Sequence, residues 1–239
     1  MPDKNHSDSS TTGAASRYAS SAWVFAGGDF HVDCIDPAWV AEGDIVVGVD
    51  HGISHCLDAG LVPDVMMGDF DSVEASVLDD ARLAGTQRKT YPARKNSSDL
   101  ELALDWLSDT QVERVVLLGI SGGRSDHHMI SWMLPSQERW QFAIEIIDAT
   151  VHAHVVTPEH PLDAPAWIGQ TVSLMPLPEA SGVCTIGLEY TLYDAQLSKG
   201  TTLGLSNVAS GKTIGVSISQ GRLLAFRVNA DKMPDSITR

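Results

Sequence analysis

Short, continuous runs of apolar residues recur through the first half of the chain and are separated by polar loops. The runs cover residues 23–26, 45–49, 65–67 and 115–118. A strand that is apolar on both sides is typical of a parallel sheet with helices on both faces, whereas a strand with one wet face alternates. The four runs therefore predict buried parallel strands.

Between these runs, apolar residues recur at helical spacing. Residues 72–84 and 98–107 each place their apolar side chains on one side of a helix. A further helix over 129–140 is expected to be interrupted or kinked by Pro135. Strands that alternate with helices predict an α/β fold with a doubly wound, mainly parallel sheet.

The pattern changes beyond residue 150, where helix signals nearly vanish. Polar and apolar residues alternate at 171–174 and 213–219, as in antiparallel strands with one wet face, and Gln220-Gly221 predicts a hairpin. The C-terminal third therefore resembles an antiparallel β-sandwich. We expect three parts: a disordered tail at 1–21, an α/β domain at 22–150 and a β-sandwich domain at 151–239.

Composition limits the classes of partner. The 239 residues include 16 Lys and Arg against 31 Asp and Glu, a formal net charge of -15, which disfavours nucleic acid and anionic membranes as partners. No apolar run approaches the ~20 residues of a membrane span, and residues 1–21 lack the apolar stretch of a signal peptide. Cys34, Cys56 and Cys184 are widely spaced and form no CxxC pair, so we expect reduced thiols in a soluble cytoplasmic protein.

Glycines and carboxylates follow the predicted parallel strands. Ligands of doubly wound sheets bind beyond the carboxyl ends of the strands, so these loops are expected to hold the functional site. Asp69 and Asp71 are two residues apart and, with Asp50, could share one Mg²⁺ ion, which prefers oxygen ligands. In the alternative interpretation, Asp71-Ser72 only caps the following helix.

A second candidate segment opens the helix predicted at 98–107. Ser98 and Glu101 have the spacing of a capping box, which has a structural explanation by itself. The free amides of a helix start also bind phosphate, Lys95 adds a positive charge, and Asp99 could hold metal or orient a nucleophile.

A third segment follows the strand predicted at 115–118. Gly122 and Gly123 let backbone amides approach a ligand, and Arg124 could clamp a phosphate group. The alternative is an ordinary glycine turn with a surface ion pair between Arg124 and Asp126. The chain contains no GxxxxGK[ST] segment, so a P-loop kinase is not supported.

Taken in order, these motifs resemble those of the thiamine pyrophosphokinase family. The matching segments, which span nearly the whole chain after the tail, are Gly27-Gly28, Asp50-His51-Gly52, the PDVMMGDFDS segment at 63–72, Ser98-Asp99-Leu100-Glu101, the GGRSDH segment at 122–127 and Leu205-Ser206-Asn207. One departure is the stretch Val208-Ala209-Ser210, which lacks the aromatic residue that many members place near the thiamine ring.

The resemblance implies transfer of a pyrophosphoryl group from ATP to the hydroxyl of thiamine, giving thiamine diphosphate and AMP, with Mg²⁺ as cofactor. It also implies a homodimer, an ATP-binding catalytic α/β domain and a thiamine-binding β-sandwich. The implied acidic metal and catalytic group is Asp50, Asp69, Asp71 and Asp99. The implied ATP contacts are Arg124 and Asp126, and the implied thiamine contacts are Ser206 and Asn207.

Two questions stay open at this level. Asp71 and Asp99 are both candidates for the general base that accepts the proton of the hydroxyl. Besides thiamine, the acceptor could be another alcohol such as a pterin, and the same scaffold could also serve as a non-catalytic sensor of thiamine or nucleotide.

Overall fold

The computed structural model describes residues 20–229. The expected tail at 1–21 therefore lies outside the described residues, apart from Ser20 and Ser21. Ser21 is buried and already begins the first strand.

Parallel strands form the N-terminal part of the sheet, as the continuous apolar runs predict. The strands are β1 (Ser21–Phe25), β2 (Ile45–Val49), β3 (Val65–Gly68), β4 (Gln87–Thr90), β5 (Arg114–Leu118) and β6 (Ala143–Ile147). They lie in the order β4-β3-β2-β1-β5-β6, and each neighbouring pair is parallel. The order reverses beside β1, which is where a doubly wound sheet binds its ligands.

The helices differ from the predicted ones over 72–84, at Gly52–Asp58, where none was predicted, and at Ser125–Met133, which begins before residue 129. Within residues 20–229, the α-helices are α1 (Gly52–Asp58), α2 (Ala75–Leu78), α3 (Asp99–Ser108) and α4 (Ser125–Met133). Short 3₁₀ helices cover Val32–Cys34, Pro37–Trp39, Ala81–Gly85 and Leu134–Ser136. Instead of one helix over 72–84, the chain forms α2 and a 3₁₀ helix, because Asp80 turns to cap the second piece by accepting a hydrogen bond from the Arg82 amide. The break expected at Pro135 is confirmed, since α4 ends at Met133. Among residues 20–229, no helix is long and apolar enough to cross a membrane.

The C-terminal strands are antiparallel, as their alternating pattern predicts. They are β7 (Val151–Val156), β8 (Leu162–Pro165), β9 (Thr171–Ile186), β10 (Ala195–Leu197), β11 (Asn207–Val208), β12 (Thr213–Ser217) and β13 (Gln220–Val228). The order continues from β6 through β7, β13 and β9 to β12 and β8, while β10 and β11 also pair with β9. The inward residues of β8, β9, β12 and β13 pack into a core of their own.

The prediction of a hairpin at Gln220-Gly221 is wrong. β12 and β13 both pair antiparallel with β9 in one register: Ser217 lies opposite Cys184, and Gln220 lies opposite Ser181. The chain therefore continues along β9 instead of reversing. A glycine between two apolar runs can mark either a turn or a β-bulge. Here it marks an irregularity in the strand, because the register shifts just after Gly221.

The expected domain boundary at residue 150 lies in the tight turn between β6 and β7. The Asp148 amide donates a hydrogen bond to the Val151 carbonyl, and β6 and β7 then pair antiparallel, with Glu145 opposite His154. The parallel and antiparallel parts therefore share one hydrogen-bonded sheet.

A network of charged and imidazole groups is enclosed at this junction. Arg114 donates hydrogen bonds to both carboxylate oxygens of Glu145, at 2.7 and 3.1 Å. Arg227 donates to Nδ1 of His152 at 2.6 Å and to Nε2 of His154 at 3.1 Å. Because a guanidinium only donates, those two ring nitrogens accept, so both histidines are neutral. The imidazole rings stack with centroids 4.4 Å apart.

This network predicts that acid destabilises the fold. Burial lowers the pKa of His152 and of His154, the latter also through His152. The unfolded chain therefore binds more protons below about pH 6.5, and the free energy of unfolding falls as pH falls, by up to about 1.4 kcal/mol per pH unit for each proton. Denaturant unfolding at pH 7.5 and 5.5 measures the loss.

The control for this prediction is the variant His152→Gln/His154→Gln, which removes both imidazoles. Asp50, whose pKa is raised to about 6, acts in the opposite direction, because between pH 4 and 6 its folded form binds more protons. The variant keeps that contribution, so its stability should fall less between the two pH values than that of the wild type. An equal fall in both proteins would assign the acid sensitivity to other groups.

Candidate active site

The carboxyl ends of β2 and β3 are in close contact at Asp50. Asp50 follows β2 with a left-handed φ of 47°, and its Oδ1 accepts a hydrogen bond from the Phe70 amide at 3.3 Å. A Cβ on Gly68 would lie 1.7 Å from that same Oδ1, and Gly68 itself has a φ of 141°. Only glycine leaves room for this carboxylate at the end of β3.

Asp50 lies close to two of the other predicted catalytic acids. Burial and the charges of Asp99 and Asp69 together raise its pKa to about 6, against the hydrogen bond from the Phe70 amide, which lowers it. A half-buried carboxyl that is held near other carboxylates is typical of a site that binds a cation or moves a proton.

Asp69 and Asp71 form a pair of their own in the loop after β3. The Asp71 amide donates to Oδ1 of Asp69 at 3.1 Å, and a side-chain hydrogen bond with Asp69 raises the pKa of Asp71. The alternative interpretation of Asp71-Ser72 as a helix cap is wrong, because α2 begins later and its N-cap is Glu74. Asp71 is exposed and has no capping role.

Lys95, which is paired with Asp99, places a positive charge at the same edge of the sheet. Lys95 Nζ lies 2.6 Å from Oδ1 of Asp99, the first residue of α3. Ser98 is the N-cap of that helix and accepts the Glu101 amide at 3.2 Å, as predicted. Glu101 does not complete a capping box, since its carboxylate pairs with Arg139.

The loops after β1 and β5 run side by side. The Gly28 amide donates to the Gly119 carbonyl and the Asp29 amide to the Ser121 carbonyl, both at 2.7 Å. Gly122 has a φ of 81°, and a Cβ there would lie 2.0 Å from an Asp29 carboxylate oxygen. Asp29 was not among the predicted site residues, although it also follows an apolar run, after Gly27 and Gly28.

The remaining predicted ATP contacts lie at the start of α4. Gly123 has a φ of 64° and open space around it. Arg124 pairs with Asp126 across 2.7 Å, and this hydrogen bond holds the pKa of Asp126 at about 2. Both side chains are largely exposed, so the pair can open toward an anionic ligand at little cost.

The segment at 205–207 lies elsewhere in the structure. β11 pairs with β9, and β9 is separated from β2 by β1, β5, β6, β7 and β13. Ser206 is exposed, with a φ of 55° and its amide bonded to Ser173 Oγ. The single chain therefore does not bring Ser206 and Asn207 together with the acidic residues through neighbouring strands.

Asn207 forms hydrogen bonds with the backbone of Tyr190, an aromatic residue that was not among the predicted site residues. Its side-chain amide is buried, accepts the Tyr190 amide at 3.0 Å and donates to the Tyr190 carbonyl at 2.7 Å. The Tyr190 side chain is 65% exposed. Tyr190 thus lies beside Asn207 although it is 17 residues earlier in the chain, a link that no local pattern reveals.

The acids fit Mg²⁺ as two close pairs: Asp50 with Asp99, and Asp69 with Asp71. Mg²⁺ binds through one or two carboxylates together with phosphate oxygens and keeps several waters, so a complete protein cage is not required. Among the described residues, three His, Cys, Asp or Glu donor atoms lie within 4.8 Å of one another only in the set Glu145, His152 and His154.

That set of three is unsuited to a metal ion. A metal-bound histidine donates its second ring N–H to an acceptor, but here the second ring nitrogens face the donors of Arg227. Arg114 also occupies both oxygens of Glu145. The network therefore serves the junction of the sheet.

Comparisons with known proteins point to one enzyme family. The model of the thiamin pyrophosphokinase catalytic domain matches residues 38–145, and that of the thiamin pyrophosphokinase vitamin B1 binding domain matches residues 153–223. The thiamine pyrophosphokinase of Bacillus subtilis (strain 168) is 29% identical over 207 residues, which are 85% of this chain and 96% of that protein.

Solved structures give the same result. The crystal structure of the Bacillus subtilis thiamine pyrophosphokinase superimposes with a TM-score of 0.73 at 27% identity, covering 87% of this chain and 98% of that one. The thiamin pyrophosphokinase of Geobacillus thermodenitrificans superimposes with a TM-score of 0.70 at 28% identity, covering 91% of this chain and 99% of that one.

Proposed function

Because this chain belongs to the thiamine pyrophosphokinase family, we propose that it transfers the pyrophosphoryl group of ATP to the hydroxyl of thiamine, giving thiamine diphosphate and AMP. The observation that carries the proposal is the group of Asp50, Asp69, Asp71 and Asp99 at the carboxyl edge of the sheet, with Lys95 beside it. Such transfer depends on positioning and on neutralising charge, which metal-binding carboxylates and a cation supply.

Each predicted residue has a place in this proposal. Asp50, Asp69 and Asp71 hold Mg²⁺, which when bound offsets the charge of the phosphates. Lys95, Ser98, Gly122, Gly123, Arg124 and Asp126 form the ATP-binding set, at the starts of α3 and α4. Asp71 and Asp99 are the candidates for the base that takes the proton from the thiamine hydroxyl.

The arrangement supports a homodimer. Six strand spacings of about 4.8 Å separate β2 from β9, roughly 29 Å along the sheet. A thiamine molecule bound at Ser206 and Asn207 would not span that separation along the sheet. In the proposed assembly, the 205–207 segment of one subunit faces the acidic edge of its partner. Leu205 of this segment and the neighbouring Leu203, which are both exposed, then contact the partner.

Tyr190 is proposed to stack on a ring of thiamine. Aromatic faces attract cations and planar rings, and such contacts contribute about 0.5 to 2 kcal/mol. Tyr190→Ala should therefore raise KM for thiamine about tenfold and leave KM for ATP unchanged, as measured by steady-state kinetics. The control is Tyr193→Ala, since Tyr193 is 88% exposed on the same loop but has no hydrogen bond from Asn207. Equal effects of the two substitutions would contradict this role.

The acceptor is tested by product analysis. The protein is incubated with ATP, Mg²⁺ and either thiamine or a pterin alcohol, and the products are identified by mass spectrometry. The proposal expects thiamine diphosphate and no diphosphorylated pterin. Conversion of the pterin alone would contradict the assignment of thiamine. Binding of ATP and thiamine without turnover would indicate a sensor.

A cytoplasmic location completes the proposal. Cys34, Cys56 and Cys184 are all free thiols, as expected in a reducing compartment. Burial raises the pKa of Cys34 to about 11, so this thiol stays protonated and unreactive at neutral pH.

A further inference from the structure

A histidine of α4 contacts the backbone of the loop after β5. The Gly122 amide donates a hydrogen bond to Nδ1 of His128 at 2.8 Å. Because a ring nitrogen that accepts a hydrogen bond carries no proton, His128 is neutral and bears its proton on Nε2. His128 was not among the predicted site residues, yet it bonds directly to a residue that is assigned above to ATP.

The conformation of this loop depends on such a contact. Gly122 and Gly123 have φ angles of 81° and 64°, both in the left-handed region. Glycine leaves this conformation readily because no Cβ restricts it, and it loses more entropy than other residues when it is held. The hydrogen bond to the Gly122 amide therefore selects one orientation of this peptide group, and with it the direction in which the chain enters α4.

A second contact from the same face of α4 reaches the same loop. Trp132 lies one turn after His128, and its Nε1 donates to Ser121 Oγ at 3.2 Å. Residues four apart share one face of a helix, so both side chains contact adjacent residues of the loop. The Trp132 ring also stacks on Phe226, with centroids 5.3 Å apart. These contacts connect α4 to the loop at two points and to β13 at one.

The contacts are important because α4 contains no buried residue of its own. Arg124 is the N-cap of this helix and Asp126 lies in its first turn, and both belong to the proposed ATP-binding set. The first amides of a helix have no acceptor within the helix and are suited to bind phosphate. The shape of the proposed phosphate site therefore depends on where an exposed helix begins, and the hydrogen bond to His128 fixes that point relative to β5.

We propose that His128 is a positioning residue for the phosphate groups of ATP. Its Nδ1 orients the turn at Gly122 and Gly123 so that the start of α4 faces the phosphates. The Gly122 amide is then directed to His128, and the donors to the phosphates are the Gly123 amide and the first amides of α4. The inference rests on the proposed function, and it names a residue that acts on the site through the loop without contacting the substrate.

The test uses variants that move or remove the acceptor atom. In His128→Asn the amide oxygen occupies the δ position of the lost nitrogen, in His128→Gln it lies one bond further out, and His128→Leu has no acceptor. Each variant is titrated calorimetrically at pH 8 with ATP and with tripolyphosphate, in the presence of Mg²⁺ and without thiamine. We expect His128→Leu and His128→Gln to bind both ligands about fivefold more weakly, and His128→Asn to bind both within about twofold of the wild type.

The matched control is His160→Leu. The ring of His160 also bonds to a backbone group, with its Nε2 3.0 Å from the Gln141 carbonyl, but it lies between β7 and β8. Its replacement should leave the affinity for both ligands unchanged. Because the bond between Gly122 and His128 is exposed, the His128 variants should also melt close to the wild type.

Three results would overturn the proposal. Wild-type affinity in His128→Leu would show that the loop keeps its shape without the hydrogen bond. A loss in His128→Asn as large as that in His128→Leu would show that the acceptor atom has no role. A loss for ATP with none for tripolyphosphate would assign His128 to a direct contact with the nucleoside part. Failure of the proposed function is distinguishable, because the wild type would then bind ATP and form no AMP with thiamine, while the order of the variants held.

Discussion

Replacement of Asp71 by Asn should lower kcat by about a thousandfold, equivalent to about 4 kcal/mol of transition-state stabilisation. Asp71 is paired with Asp69 at the end of β3, where the metal-bound phosphates of ATP are proposed to lie. An amide keeps the size of the side chain but carries no negative charge to hold Mg²⁺ and takes no proton from an alcohol. Steady-state turnover with ATP, Mg²⁺ and thiamine measures the loss.

The fold should tolerate this substitution. Asp71 is exposed, caps no helix and repels Asp69, so the melting temperature of the variant should equal or slightly exceed that of the wild type. Asp79→Asn is the control: Asp79 is also exposed but lies at the C-terminal end of α2 and is not among the proposed metal-binding acids, so its replacement should leave kcat unchanged. Full activity of Asp71→Asn would remove Asp71 from the site.

Replacement of Glu145 by Ala should lower the free energy of unfolding by about 3 to 5 kcal/mol. Hydrogen bonds from His152 and Arg114 hold the pKa of Glu145 well below its usual range, although burial opposes its ionisation. Without this carboxylate, Arg114 and Arg227 keep positive charges at an enclosed junction that has lost its negative charge. Urea unfolding at pH 7.5 measures the change.

Two further variants separate a buried charge from a surface one. Arg82→Ala breaks an ion pair with Asp80 that is half-exposed and should change the free energy of unfolding by less than about 1 kcal/mol. Glu145→Gln keeps the shape and part of the hydrogen bonding, so it should fall between the wild type and Glu145→Ala. A change in Glu145→Ala as small as that in Arg82→Ala would show that the network contributes little.

The fold could be predicted wherever its cause is local. Continuous apolar runs and alternating runs correspond to the parallel and antiparallel parts of the sheet, because burial on two faces or on one face is recorded in each strand. The β12–β13 connection could not be predicted, since Gln220-Gly221 has the composition of a turn. Its extended path depends on pairing with β9, some 40 residues earlier in the chain.

The candidate site divides in the same way. The acids after β2 and β3 could be identified, because the loops at the carboxyl ends of parallel strands converge on one edge. The link from Asn207 to Tyr190 and the network that joins Arg114, Glu145 and Arg227 could not be predicted. Their members are brought together by strand register, and no spacing within a single segment records those contacts.

The most direct test of the proposed function is phosphorus NMR of the purified protein with ATP, Mg²⁺ and thiamine. It separates transfer of two phosphoryl groups from transfer of one, and it identifies the acceptor in the same spectrum. We expect the signals of AMP and thiamine diphosphate to grow together at equal rates. ADP with thiamine monophosphate would instead indicate a simple kinase, and an unchanged ATP spectrum would contradict the proposed activity.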